Sequence, residues 1–565
     1  MNIRKILLWV FAGLIAFIFL LLYLLNPFLE RKVKDTLQAY INTSPDRPYD
    51  YEYQTMDVQV LRGNIWLKGV KITPRPGIRE NVEAAKSPFL MEAVTDSLAL
   101  TGLSVFDLLM KGSVCIKSIL VSDVRFTYLS NSRYVNPDTT KKKPFVLKDI
   151  FSERLSKVSI RKFELRNISV YTDDLATPDT VMISFDAGNM LWQDIYTDQT
   201  VMAGIQPFTY SNLTMSAEHF VGHMIREHAI RVDSFSLSTA AARIELHGVD
   251  FAPIDFDFAS KDKQFIRSVN AISAEDLVLT GVNFDDWQIY GRMDIGKVYA
   301  HKPVVKVGMD HRWPKPMYER VFLSSRVRSI PIPVKIDTIT ADGGYIYYRE
   351  IFNNGKPPLI ITFNDASVDV YNICNDPKVL EEHPELVFKA SAKLLGAGRL
   401  NVNTVFRIPD TLNSFHATIT IGSMSLETFN TILEDQMSAR LYGQMNTLAM
   451  NFEANKFGSH GDFVFDYNGL KLEFYKEKQT KGGVKEKKNW LVNTLVNPIL
   501  RTDNNRSQPN FKSGFIDYKR PLDISFFGLV WQSIKGGMIS TLVPGKGEKA
   551  EAKRKAKNEK KKSKD

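Results

Sequence analysis

The sequence predicts a mainly β protein: an N-terminal transmembrane helix followed by an elongated antiparallel β body, groove-like or sandwich-like, with a few short helices. Three features predict it. Residues 6–25 form one uncharged apolar run, the segments beyond it alternate apolar and polar residues with period two, and one apolar spacing recurs along the chain. At 565 residues, 44% hydrophobic and 24% charged, the chain is globular in composition and too long for one ordinary core.

The run ILLWVFAGLIAFIFLLLYLL is long enough, at about 1.5 Å per residue, to cross a hydrocarbon core ~30 Å thick. Arg4 and Lys5 precede it, Asn26-Pro27 ends it, and Arg31, Lys32 and Lys34 follow. Trp9 and Tyr23 lie near its ends, where amphipathic rings settle at the interface. Ile6, Leu7, Phe11, Phe17, Phe19 and Leu22 supply further membrane contact. A cleavable signal has a shorter apolar core followed by a small-x-small site, so an uncleaved anchor over residues 1–30 is expected. The flanking charges tie across the run. The short segment ahead of it makes N-inside the default, with the body translocated.

After a helical pattern at residues 30–42, Val58, Val60, Ile65, Leu67, Val70 and Ile72 alternate with polar residues, broken at Arg62-Gly63-Asn64 and Lys68-Gly69. A unit then recurs, clearest at Ile160-x-x-Phe163-x-Leu165-x-x-Ile168-x-Val170. Copies start at Ile116, Val232, Val269 and Ile336, with a weaker one at Ile295. Within one continuous strand each double polar step would throw the apolar set onto the opposite face; a bulge or tight turn there restores it. The units therefore read as short strand pairs laying one apolar face on a common surface. Helical patterns are few: residues 215–228, and residues 426–434 with Ser425 as N-cap.

Residues 386–475 carry the most specific signal. A long strand region, LLGAGRLNVNTVFRI, is followed by a strand at 416–421, then GSMSLETFNTIL, then Leu441-Tyr-Gly-Gln-Met445, then GDFVFDYNGLKL. This resembles the C-terminal module of AsmA-like proteins, where a strand leads into a short helix carrying Leu and Asn and glycine-led strands follow. The anchor, the helix after it and the strand ending Leu67-x-Gly69-Val70-x-Ile72 are similar to the N-terminal end of that family. The resemblance implies a bacterial inner-membrane anchor with the body in the periplasm and a role in outer-membrane biogenesis. Its larger relatives, the TamB-type proteins, are bridge-like lipid conduits. It further implies membrane lipids, the inner membrane and outer-membrane or envelope proteins as partners. The expected organisation is an anchor (1–30), a β-rich body with recurring units (31–385), the AsmA-like module (386–475), a basic loop with amphipathic helices (476–543) and a disordered Lys-rich tail (544–565).

The formal charge of +10 does not indicate nucleic acid. Residues 544–565 hold ten Lys/Arg and four Asp/Glu, a net of +6, which leaves +4 for the rest of the chain. Cys115 and Cys374 form no metal or redox spacing and read as buried free thiols. On a helix, His219, His223 and Glu227 would share a face and form a metal candidate; the competing reading is a solvated helix face. Asp173-Asp174 and Asp285-Asp286 read as turn residues at strand ends. Pro544-Gly-Lys-Gly lacks the phosphate-loop pattern. No catalytic residue, metal, cofactor or enzymatic activity is therefore expected.

Near the C terminus, Phe527, Val530, Trp531, Ile534, Met538 and Leu542 fall within about 120° of a helical wheel, with Gln532, Ser533, Gly536 and Ser540 opposite. This stripe is expected either to lie on a bilayer, with the lysines beyond it finding anionic headgroups, or to dock on the apolar end of the β body. Two functions from different classes follow: binding or passing lipid along an apolar β groove, and scaffolding outer-membrane protein assembly without lipid.

Overall fold

The computed structural model describes residues 49–59, 62–135, 156–176, 181–203, 206–225, 228–253, 268–312, 319–352, 355–480, 483–488 and 500–543. The expected anchor and its eight named contacts, the helical pattern at 30–42, the tail from 544 and Glu227 lie outside these residues. Two compact units follow one another, residues 1–249 and 250–565, each a β structure with few helices. Among the described residues no helix is long and apolar enough to cross a membrane.

The first unit contains β1 (Tyr49–Glu52), β2 (Thr55–Gln59), β3 (Asn64–Pro74), α1 (Ile78–Glu83), β4 (Phe89–Thr101), α2 (Val105–Lys111), β5 (Ser113–Ile116), β6 (Ser118–Ser130) and β7 (Lys157–Asp174). It continues with β8 (Val181–Asp198), α3 (Gln199–Ala203), β9 (Asn212–Ile225) and β10 (His228–Ser238), and β11 (Arg243–Pro253) runs through the boundary. Strand β3 pairs antiparallel with β1, β2 and β4, and β4 with β6. Strands β5 and β6 then lie parallel to β7, and β7 to β10 form an antiparallel meander. The body is thus not antiparallel throughout. A parallel step needs a long return connection, and residues 131–156 supply it.

The second unit contains β12 (Ser268–Val282), α4 (Phe284–Tyr290), β13 (Met293–His301), β14 (Val304–Asp310), α5 (Leu323–Arg328), β15 (Val334–Ile351), β16 (Leu359–Cys374), α6 (Pro377–Glu382), β17 (Glu385–Leu394), β18 (Gly398–Arg407) and β19 (Phe415–Ile421). A short β20 (Met424–Ser425) and a 3-10 turn (Leu426–Phe429) lead into α7 (Asn430–Met437), β21 (Ala439–Asn455), β22 (Gly458–Thr480), β23 (Gly483–Lys488), β24 (Gly514–Lys519) and α8 (Phe526–Leu542). Strand β12 pairs antiparallel with β13 and β14, both of which lie parallel to β15. From β15 the order β16, β17, β18, β19, β21, β22, β24 is antiparallel.

The two units share one supersecondary module: an antiparallel strand, a short capped helix, a broken strand, a parallel partner and an antiparallel return. Leu98-Ala-Leu-Thr-Gly102 in the first matches Leu277-Val-Leu-Thr-Gly281 in the second. Ser104 caps α2 by accepting from the Asp107 N–H, and Asn283 caps α4 by accepting from the Asp286 N–H. Both helices end on a left-handed glycine, Gly112 (φ 60°) and Gly291 (φ 64°).

The double polar steps are where the strands bulge. Asn167 (φ 49°) and Gly343 (φ 61°) stand at equivalent steps of β7 and β15, and the register shifts there against β8 and β16. Asp123 (φ 56°) and Lys302 (φ 44°) stand at the matching steps of the neighbouring strands. The extra residue returns the apolar set to its original face. The Ile160 and Ile336 units are therefore single 18-residue strands rather than strand pairs, because bulging keeps the flanking ladder intact. The Ile116 and Ile295 units are broken, at Lys117 and at Lys302-Pro303, into β5–β6 and β13–β14.

Other expectations change. Residues 215–228 are not a helix but β9 and the start of β10. LLGAGRLNVNTVFRI is not one strand but the end of β17, a turn with Leu395 at φ 51° and Gly396 at φ 72°, and β18. The basic segment 476–488 is a hairpin of β22 and β23 rather than a loop. Asp174 closes the turn after β7, whereas Asp285 and Asp286 sit in the first turn of α4. The helical pattern at 426–434 is a 3-10 turn running into α7, with the Ser425 hydroxyl accepting from the Glu427 N–H at its start.

Candidate functional site

The apolar face of each module is set by its strand register. In the first unit Leu98 and Leu100 of β4 stand opposite Val121 and Ile119 of β6, and Ile119 stands beside Phe163 of β7. All are buried, together with Ile116, Ile160 and Ile195, in one core cluster. Met56 and Val58 of β2, Leu103, Leu108 of α2, Phe208 and Tyr210 pack with them, and Trp192 of β8 stands opposite Phe163. Trp192, Phe208 and Tyr210 form a self-supporting group with centroids 5.6–6.4 Å apart.

The second unit repeats that face with a different cover. Leu277 and Leu279 of β12 stand opposite Ala300 and Val298 of β13, which stand beside Ala341 and Ile339 of β15, and these face Val368 and Val370 of β16. Past the bulge the face continues through Val305, Ile346 and Phe363. Every one of these side chains is half-buried, and Ile272 at the margin is 46% exposed. The equivalent of Leu108, Trp287 on α4, is exposed, and α4 buries none of its side chains.

The same face runs on into the sealed part of this unit. Val370 faces Phe388, and the register carries on through Thr404 and Ala417 to Phe452. Phe388 is half-buried, while Thr404, Ala417 and Phe452 are buried in a core that includes Leu529 of α8 and Phe322, Phe406, Phe415 and Phe526, paired at 5.2–6.2 Å. The Tyr467 hydroxyl donates to the Arg501 carbonyl at 2.9 Å, and burial pushes its pKa up to about 12. The chain thus offers a half-covered apolar strip on β12–β16 that ends in a closed core.

The opposite face is polar. A shallow recess of about 390 Å³ on β16–β19 is lined by Ser367, Asp369, Lys389, Ser391, Asn401, Asn403, Thr418 and Thr420. In the first unit a recess of about 350 Å³ combines Leu165, Met190, Leu191, Met215 and Leu237 with Glu164, Arg243 and Glu245.

The metal candidate does not hold. His219 sits at a β9 bulge (φ 51°) and His223 four residues on, about 13 Å away at strand rise, too far to share an ion. Among the described residues no group of three or more His, Cys, Asp or Glu is placed to hold a metal. Cys115 is half-buried and Cys374 buried; both are free, and burial pushes the Cys374 thiol up.

Of the expected C-terminal membrane contacts, the structure divides the set. Val530, Ile534, Met538 and Leu542 pack partly against the core, while Phe527 and Trp531 are exposed. The side of α8 that rests on the sheet carries Leu529 with the small residues Ser533, Gly537, Ser540 and Thr541. Ser533 bonds Ser459 at 2.7 Å, and a Cβ on Gly537 would fall 2.3 Å from the Phe463 ring. The Ser533/Ser540 side assigned to solvent from sequence is the docked side. Small residues allow the close approach that a bulky apolar stripe would prevent.

No model of a known protein family matches this chain, and no curated protein matches it.

Proposed function

We propose that this chain is a non-enzymatic, membrane-anchored protein of the bacterial cell envelope that binds or passes lipid along the apolar strip of β12–β16. In this reading residues 6–25 hold it in the inner membrane with the body in the periplasm, and the AsmA-like resemblance of residues 386–475 supports a role in outer-membrane biogenesis. The observation that carries the lipid reading is the half-covered state of Leu277, Leu279, Val298 and Ile339 beside the full burial of their equivalents in the first unit. An apolar face needs a second layer or a ligand, and acyl chains supply the second.

The test is extraction of protein lacking residues 1–30, purified without lipid-stripping detergent, with acyl lipid counted by mass spectrometry. Near-stoichiometric lipid is expected, and Val298→Asp should abolish it by placing a charge on the strip. Lipid-free wild-type protein would refute the reading and favour the second, a scaffold assisting outer-membrane protein assembly. The polar recess over β16–β19 favours that alternative as a contact surface.

A further inference from the structure

We infer that one end of the second unit is a docking surface for an anionic bilayer. Four connections meet there: residues 319–323 entering α5, the β18–β19 turn, the β21–β22 turn, and residues 520–525 entering α8. Each carries an exposed apolar side chain, Val321, Leu412, Phe457 and Leu522 in turn, and α8 adds Phe527 and Trp531. Phe457 is 59%, Trp531 58% and Phe527 79% exposed, so most of each ring is free to meet a partner.

Their convergence is enforced by a buried cation. The Arg520 guanidinium, stacked 4.4 Å from the Phe322 centroid, donates to the carbonyls of Ile524 at 2.7 Å, Arg320 at 2.8 Å, Lys456 at 2.9 Å and Leu522 at 3.2 Å. Backbone bonds close the ring: Lys456 N–H to Leu412 O, Arg520 N–H to Phe457 O, and Arg320 N–H to Leu522 O, at 2.8–2.9 Å. Apolar tips from four separate connections are thereby held at one end of the unit.

Charge identifies the occupant. The Lys456 ammonium lies 5.3 Å from the Phe457 centroid, and Lys519 and Lys535 are exposed. Glu319, Asp410 and Asp523 are the acidic groups of these connections, and α8 has none. Lys535 follows Trp531 by one turn. Aromatic tips flanked by lysine, whose stems lie on hydrocarbon while the ammonium meets phosphate, suit a headgroup boundary. This surface is separate from the β12–β16 strip and stands whether or not that strip carries lipid.

The test uses the full chain kept soluble in amphipol, floated with phosphatidylcholine vesicles with or without phosphatidylglycerol. The chain should rise with the phosphatidylglycerol vesicles, less so at high salt. The triple variant Phe457→Ser, Leu522→Ser, Phe527→Ser should lose at least about tenfold of that partition while its urea midpoint is unchanged, because the removed groups are exposed. Lys456→Glu with Lys535→Glu should weaken the same binding, and the emission difference between wild type and Trp531→Phe should shift to the blue on vesicle addition. Failure of wild type to float, or equal flotation of wild type and triple variant, would overturn the inference.

Discussion

The two copies of the module differ in what covers them rather than in how they are built. Both have the capped helix, the left-handed glycine after it, the bulge at the double polar step and a parallel partner strand. In the first copy Trp192 fills the apolar face, and β2, Leu108, Phe208 and Tyr210 pack with it. In the second, α4 reads FDDWQIY and buries none of its side chains, so β12–β16 keep a half-covered strip. One backbone plan therefore serves as a sealed core or as a surface with unmet apolar area, and the decision rests with a few neighbouring residues.

This difference breaks down into measurable pairs. The largest expected effect is at Leu100, fully buried, where Leu100→Ala should cost about 2–5 kcal/mol in urea unfolding. Its equivalent Leu279→Ala, on the half-covered strip, should cost no more than about 1 kcal/mol. Similar losses at both positions would show that the second face is as closed as the first.

A smaller effect is expected in the closed part of the second unit. Glu473 accepts from Lys471, Lys488 and Tyr475, and these hydrogen bonds hold its pKa down to about 2. A depressed carboxylate pKa adds stability above its unfolded value, near ~4.3, which fades as pH falls toward the folded value. Glu473→Gln should thus lower the unfolding midpoint at neutral pH by the equivalent of at most about 1 kcal/mol, since both lysines are largely exposed. The gap between variant and wild type should narrow below pH ~4 and close only below pH ~2. A gap that persists in acid would assign the loss to packing instead.

Much of this architecture was legible because it is written in spacing. The double polar step demanded a bulge, and Asn167 and Gly343 provide it; Ser425 announced the helical turn behind it. The failures have physical causes. In β9 the extra residue at His219 breaks the period-two rhythm and leaves an apolar spacing that imitates a helix. In α8 the docked side is built from serine and glycine, so polarity alone pointed the wrong way. The duplication was written in Leu-Ala-Leu-Thr-Gly and Leu-Val-Leu-Thr-Gly, but the cover of each copy comes from distant segments that no local pattern connects. The half-covered strip therefore became visible only once the strands were placed side by side.

The most direct measurement is photo-crosslinking in cells, with a photoreactive amino acid placed at Val298 or Ile339 on the second face and at Leu103, the cover of the first. Lipid adducts should form at Val298 and Ile339 and be absent at Leu103. Adducts at none of these positions, or equally at all of them, would contradict the account.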